Sequence, residues 1–231
     1  MKIFGLQKLT LLDYPEKVAC TVFTGGCNFR CPFCHNASLV THIDPHAVME
    51  EDEFFKFLAK RQGILDGVCV SGGEPLLQED IEQFIDHIKM LGFLVKLDTN
   101  GSFPEVLERL VKGKKVDYVA MDIKNSKAHY GLTAGDVNVP LDKVEKSAAF
   151  LMEGRVPYEF RTTVVKELHT KEDFQAIGKW LSKDSPYYLQ RFVDSGDLIE
   201  ERFSAYSKEE MEEFAQILRQ TMSKVELRGV S

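Results

Sequence analysis

Three cysteines, Cys27, Cys31 and Cys34, stand in the stretch GGCNFRCPFCHN (residues 25–36). Thiolates at such spacing can face one metal centre from a single tight loop, and soft sulfur ligands select zinc, copper(I) or an iron–sulfur cluster. A structural zinc wants a fourth ligand, for which His35 is the neighbour. His35 directly follows Cys34, however, and zinc ligands usually have about two to four residues between them. A four-iron cluster held by three cysteines has the opposite property: one iron is left without a protein ligand, open to a small molecule. The other two cysteines, Cys20 and Cys69, lie in apolar runs and read as small core residues.

Further along the chain, chemistry-bearing residues recur in otherwise apolar or glycine-rich surroundings. Ser71-Gly72-Gly73-Glu74-Pro75 is one group, Asp98-Thr99-Asn100-Gly101 a second, Asp122 with Lys124 a third. Lys124 and Arg161 are basic residues within apolar segments, where an unpaired charge is costly. Each needs an anionic ligand or an internal partner, with Asp122 and Glu159 the nearest candidates for a salt bridge. Gln190 and Arg191 close another apolar run. Asn100-Gly101 reads as a turn. His129, His169 and Trp180 join no constellation and read as structural or surface residues.

These groups become meaningful once the elements that carry them are laid out. KVACTVF (17–23), GVCVS (67–71), FLVKLDT (93–99), DYVAMDIK (117–124), YEFRTTVV (158–165) and YYLQRFV (187–193) read as strands. Helices are predicted over 49–62, 78–91, 104–111, 141–152, 171–181 and 208–222. Strict alternation of strand and helix predicts a parallel sheet covered by helices. Six units are too few to close an eight-stranded barrel, so the expected fold is α/β, a partial (β/α)6 TIM-like barrel with parallel strands. The cysteine loop and the groups above all fall in the strands or just after them, at the end where such barrels build their active sites. One domain is expected over 1–231, with an N-terminal extension (1–17), a barrel core (about 18–193) and a C-terminal helix and tail (194–231).

Composition narrows the class. The chain has 231 residues, and Lys plus Arg number 29 against 36 Asp plus Glu, a net charge of −7. That balance argues against nucleic acid as a partner. No window approaches the roughly 18 apolar residues of a membrane span, and the first residues lack the apolar core of a signal peptide. An odd number of cysteines, three of them clustered, suits cytosolic thiols. A cytoplasmic protein with no nucleic-acid or membrane partner is expected.

Cys27-x3-Cys31-x2-Cys34, with aromatic Phe33 before the last cysteine, resembles the signature of the radical S-adenosylmethionine superfamily. The CHN that ends the loop resembles the glycyl-radical-enzyme activating enzymes, and the opening FGLQKLTLLDYPEKVACTVFTGGCNFRCPFCHN resembles anaerobic ribonucleoside-triphosphate reductase activating proteins. The resemblance implies a [4Fe–4S] cluster on Cys27, Cys31 and Cys34, with the amino and carboxylate groups of S-adenosylmethionine on the open iron. It implies a cofactor-binding set of Phe33, Gly72, Gly73, Glu74, Asp98, Lys124, Arg161 and Gln190. In that set Gly72 and Gly73 allow close backbone approach, Glu74 accepts from the α-ammonium, Asp98 from the ribose, and Lys124 and Arg161 meet the carboxylate. Likeness to pyruvate formate-lyase activating enzymes adds Asp98, Thr99 and Asp122 as a monovalent-cation site.

The implied activity is reductive cleavage of S-adenosylmethionine and abstraction of a glycine Cα hydrogen on a partner glycyl radical enzyme, foremost anaerobic ribonucleotide reductase. Electrons would come from a donor such as flavodoxin or ferredoxin. No side-chain acid or base is required, so no catalytic side chain is assigned. Activation of pyruvate formate-lyase or another glycyl radical enzyme is the neighbouring alternative. Radical chemistry on a small molecule is another, and a non-catalytic iron–sulfur electron carrier ranks last, because it leaves Glu74, Lys124 and Arg161 without a purpose.

Overall fold

The computed structural model describes residues 1–230 apart from Pro45 and Ala47. Among the described residues, eight strands form one sheet in sequential order: β1 (Ile3–Thr10), β2 (Ala19–Thr24), β3 (Gly67–Gly72), β4 (Leu94–Thr99), β5 (Tyr118–Asp122), β6 (Tyr158–Val164), β7 (Tyr187–Arg191) and β8 (Val225–Arg228). From β2 to β8 every pairing is parallel; β1 alone runs antiparallel to β2. β1 and β8 stand at opposite ends of this order, so the curved sheet is a barrel that does not close.

The helices are α1 (Ala37–Val40), α2 (Glu51–Ala59), α3 (Ile81–Met90), α4 (Pro104–Lys112), α5 (Tyr130–Ala134), α6 (Leu141–Met152), α7 (Lys171–Trp180) and α8 (Lys208–Arg219). Their starts follow local chemistry. Pro104 opens α4, where its missing N–H costs nothing, and capping boxes at Thr170/Asp173 and Ser207/Glu210 begin α7 and α8. Their apolar stripes pack on the outer face of the sheet: Phe54 and Leu58 of α2, Phe84, Ile85 and Ile88 of α3, Leu107 and Leu110 of α4, and Phe174 and Ile177 of α7 are buried. No described helix is long and apolar enough to cross a membrane.

The six predicted strands are all present, and six of the helices match the predicted ones. Two strands lie outside the predicted core. β1 occupies the N-terminal extension, where Gly5 and a register irregularity between Gln7 and Thr10 obscure the period-two pattern. β8 is four residues long and follows a helix closely. Both extend the barrel wall, so the terminal segments belong to the same sheet as the core.

Alternation along each strand sends one set of side chains outward under the helices and the other into the barrel. Outward positions are mainly apolar, Val68 and Val70, Val95 and Leu97, Val119 and Met121, with buried threonines such as Thr99 and Thr162 among them. Inward positions are polar at two levels. A floor is built by Tyr14, whose ring lies 6.1 Å from that of Tyr118, and by Glu159, which accepts from both guanidinium nitrogens of Arg228 at 2.7 and 2.8 Å and from the Tyr118 hydroxyl at 3.1 Å. Above it, toward the C-terminal strand ends, lies the cavity.

Candidate active site

A cavity of about 390 Å³ opens at the C-terminal ends of the strands. Cys27, Cys31 and Cys34 all line it, on the loop between β2 and α1, and all are free thiols. The loop is pinned from several sides. Gly26 N donates to Leu39 O at 2.8 Å, Arg30 N to Ala134 O at 2.9 Å and Cys34 N to Cys31 O at 2.9 Å. The Arg30 guanidinium folds back onto the carbonyls of Cys27 and Phe29. Phe33 is buried against the edge of Phe203 and also faces the cavity.

The sulfurs share this cavity, yet among the described residues no three Cys, His, Asp or Glu side chains, His35 included, converge closely enough to hold a single metal ion. Three soft donors around a common volume fit an iron–sulfur cluster. Burial pushes the thiols up, Cys27 to about 11 and Cys31 to about 12, while the Lys124 ammonium draws both back toward the thiolate. Asn100 lends a weak donor, its amide nitrogen 3.8 Å from Cys27 Sγ. The donor set and its surroundings thus fit the [4Fe–4S] group implied by the loop.

The Gly72-Gly73-Glu74 segment closes over the end of β2. A Cβ on Gly72 would fall 2.3 Å from Thr24 N, and one on Gly73 would fall 2.0 Å from Gly26 O. Both glycines are therefore required by the approach of one protein backbone to another, beneath the cysteine loop, and both also line the cavity. Glu74 differs from expectation. It is fully buried and absent from the lining; its carboxylate accepts from Leu76 N (3.0 Å), Thr99 Oγ1 (2.8 Å) and Asn100 N (2.7 Å). Burial pushes this carboxyl up to about 7 although all three donors favour its charged form. As placed, the side chain clips the end of β3 to the end of β4.

Across the mouth from β3 to β6 runs a row of alternating charge. Lys96 pairs with Asp98; Asp98 accepts from Ser71 Oγ at 3.0 Å and Arg161 Nη2 at 3.2 Å; Arg161 Nε pairs with Asp122; and Asp122 accepts from Lys124 Nζ at 2.7 Å. Against the cost of burial, Arg161 and Lys124 hold Asp122 well below the carboxylate range, and Asp122 holds Lys124 well above the ammonium range. The salt bridge weighed for Lys124 and Arg161 is thus present, with Asp122 as partner of both. Asp98 and Asp122, considered for a monovalent cation, each already meet side-chain cations, and Thr99 Oγ1 donates to Glu74. This row holds three cations against two carboxylates, Lys96, Arg161 and Lys124 against Asp98 and Asp122. The surplus suits an anionic ligand group.

Gln190 faces the cavity from β7, whereas Arg191 turns away to donate to Tyr206 O at 2.8 Å. Asn100-Gly101 is a turn, with Gly101 at φ +78°. Cys20 and Cys69 are buried, and His169 is a core residue whose Nε2 meets Lys124 O at 2.8 Å, which steadies the strand end behind the ammonium. Several wall residues were not foreseen: Gln7, Asp13, Thr21, Asn36 and Thr163 line the cavity, and Lys96 lies beneath it. Lys96 had a legible signal, since it stands two residues before Asp98 and must share its strand face.

Comparison with known proteins agrees with this geometry. The profile of the Radical SAM superfamily matches residues 21–181. A Methanocaldococcus jannaschii protein, assigned by inference as a glycyl-radical enzyme activating enzyme, is 31% identical over 239 aligned residues, covering 99% of this chain and 96% of the relative. A pyruvate formate-lyase-activating enzyme of Listeria monocytogenes is 32% identical over 151 residues, 61% of this chain and 60% of its own. Among solved structures, a domain of the pyruvate-formate lyase-activating enzyme from Bacteroides vulgatus superposes with a TM-score of 0.58 at 19% identity, covering 71% of this chain and 99% of that domain.

Proposed function

Because this chain belongs to the radical SAM superfamily and its relatives include proteins named as glycyl-radical enzyme activating enzymes, we propose that it installs a glycyl radical on a partner enzyme, foremost anaerobic ribonucleoside-triphosphate reductase. When bound, a [4Fe–4S] cluster and S-adenosylmethionine supply one-electron cleavage of a carbon–sulfur bond and a 5′-deoxyadenosyl radical able to take a hydrogen atom from a glycine Cα.

The observation that carries the reading is the sharing of one cavity by the three cysteines and the charged strand-end row. Cys27, Cys31 and Cys34, which line the cavity, would hold three irons of the cluster and leave the fourth without a protein ligand. The surplus cation shared by Lys124 and Arg161 would meet the cofactor carboxylate, and the Gly72–Gly73 backbone would border its amino-acid end. Asp98, steadied by Lys96 and Ser71, would accept from the ribose, and the amide of Gln190 would reach the adenosine or the substrate. Phe33 and Phe29 exclude water from the loop side. The side chains bind, orient and shield, which is the protein's share in cofactor chemistry of this kind.

Activation of pyruvate formate-lyase is the second reading, favoured by the 32% identity to an enzyme so named. Anaerobic reconstitution with iron and sulfide, followed by addition of a one-electron reductant such as dithionite in the presence of S-adenosylmethionine, is the test. Formation of 5′-deoxyadenosine and methionine is expected; their absence would sink the enzymatic reading. Adding each candidate partner in turn and recording the doublet EPR signal of a glycyl radical decides between the two. A soluble product with no radical on either protein would point to small-molecule chemistry instead.

A further inference from the structure

We propose that the connection between β7 and α8 (residues 192–207) is an arm that keeps the cysteine loop closed on its cluster, with Asp197 as the positioning residue that sets how firmly the cluster is retained. This rests on the placement of the cluster on Cys27, Cys31 and Cys34 given above. The loop follows β2, next to the edge strand β1, where the barrel stays open. Its first half is tied to its surroundings by Glu74 N, which donates to Gly26 O at 2.8 Å, and by Ala134 O, which accepts from Arg30 N. The second half carries Cys31 and Cys34. Among the described residues it has one hydrogen bond of that kind, Asn36 Nδ2 to Gly72 O at 3.3 Å, and the arm supplies the rest.

The arm grips this half at several points. Glu200 N donates to Pro32 O at 2.9 Å, between the two cysteines, and buried Phe203 stands edge-on to Phe33 with ring centroids 6.5 Å apart. The Asp197 carboxylate accepts from Ser38 Oγ at 2.7 Å and from Ser38 N at 3.2 Å, a contact between residues 159 positions apart. Its carbonyl accepts from Ala37 N at 3.4 Å. At its other end the arm is anchored in turn. Lys166 N donates to Ser204 O at 3.1 Å, Ser204 N donates to Glu167 Oε2 at 3.0 Å, and the Tyr206 hydroxyl donates to His169 O at 2.6 Å. The arm therefore bridges the loops after β2 and β6, and ties together at the mouth what the open sheet leaves apart. Iron leaves a cluster through local opening of the loop that holds it, and the energy of such an opening is set by the contacts of that loop. Among the described residues no part of the arm lines the cavity, so it acts on the cluster's holder and not on the cofactor's seat.

The test compares reconstituted wild type with Asp197→Ala and Asp197→Asn. Transfer of iron to a ferrous chelator is followed anaerobically by absorbance, and urea unfolding is recorded on the cluster-free chain. Asp197→Ala is expected to release iron about tenfold faster, the low end for loss of an outer partner of metal ligands, with the urea midpoint unchanged. Asp197→Asn keeps an oxygen acceptor for Ser38 and should stay within about twofold of wild type. Ser38→Ala breaks the contact from the loop side and should give a smaller acceleration than Asp197→Ala. An Asp197→Ala chain that takes up no cluster, where wild type and Asp197→Asn do, is the limiting form of the same result. Equal iron release from wild type and Asp197→Ala would overturn the proposal. So would a release rate that rises only as the urea midpoint falls, since the arm would then serve the fold at large. An Asp197→Asn variant as leaky as Asp197→Ala would remove the hydrogen bond as the cause and overturn it too. A wild type that takes up no cluster is a failure of the cluster reading itself, visible before any variant is compared, and the proposal falls with it.

Discussion

Glu159 and Arg161 lie two residues apart on β6 and point into the same barrel, yet they belong to different worlds. Glu159, on the floor, is completely matched: two bonds from Arg228, one from Tyr118, and the Arg228 guanidinium stacked 3.5 Å over the Tyr188 ring. Arg161, one level up, shares two carboxylates with two lysines in a row that lines a cavity and keeps a cation in surplus. Parallel strands give every barrel position a fixed end, and the two ends have diverged. Charge at the N-terminal end is spent on closing the floor, and charge at the C-terminal end is held ready for a ligand. The cysteine loop joins the second end only.

The largest test of that division acts at the mouth. Cys31→Ala removes one of three thiolates and should abolish both cluster loading and 5′-deoxyadenosine formation, read by iron content and chromatography. Stability should change by only about 1 kcal/mol, the usual scale of a point substitution. Retained cleavage would mean that the loop does not hold the cluster.

The converse experiment acts on the floor. Arg228→Ala leaves Glu159 buried with the Tyr118 hydroxyl as its remaining side-chain hydrogen-bond donor, which should cost about 3 kcal/mol in urea unfolding, the lower end for a broken buried pair. KM for S-adenosylmethionine should stay within about twofold, because nothing on the floor touches the cavity. A large KM change with little loss of stability would erase the distinction between the levels.

Much of this division was legible in the sequence, and the misses have physical causes. Six strands announced themselves because their outward faces are largely apolar and β-branched, and the chemistry at their ends followed from parallel order. Lys124 and Arg161 stood out as basic residues in apolar runs; Lys96 belonged with them but was passed over inside FLVKLDT. The resemblance gives Glu74 to the cofactor's α-ammonium; in the structure its carboxylate accepts from three local donors in the wall. Which of two roles a buried carboxylate takes depends on distances between β3 and β4, and one-dimensional spacing does not contain them. β8 was missed for want of length and β1, though eight residues long, for want of clean alternation, and with β1 went Gln7. The floor pair was hidden for the same reason, since Arg228 lies on β8.

A smaller effect is expected from Lys124→Met. The substitution keeps the stem's volume but removes one of the two cations facing a carboxylate ligand, so KM for S-adenosylmethionine should rise about tenfold, worth about 1.4 kcal/mol. Stability should hardly move, because Asp122 keeps Arg161 as its partner. An Arg228-like loss of stability here would mean that the row is structural at both levels.

The finest test uses pH. Arg161 and Lys124 overcome burial and hold the Asp122 carboxyl well below its ordinary value of 3.8. A carboxyl depressed in the folded state contributes stability that is fully present above the unfolded value and is lost as pH falls toward the folded one, because the unfolded chain binds the proton first. Urea unfolding of the wild type should therefore weaken between about pH 5 and about pH 3, and Asp122→Asn should flatten part of that fall, on the order of 1 kcal/mol after allowance for Asp98, which titrates in the same direction. An unchanged acid limb would mean that Asp122 draws no net stability from its two cations. The mouth would then differ from the floor more sharply than the geometry alone implies, with its ion pairs maintained for a ligand and contributing nothing to the fold.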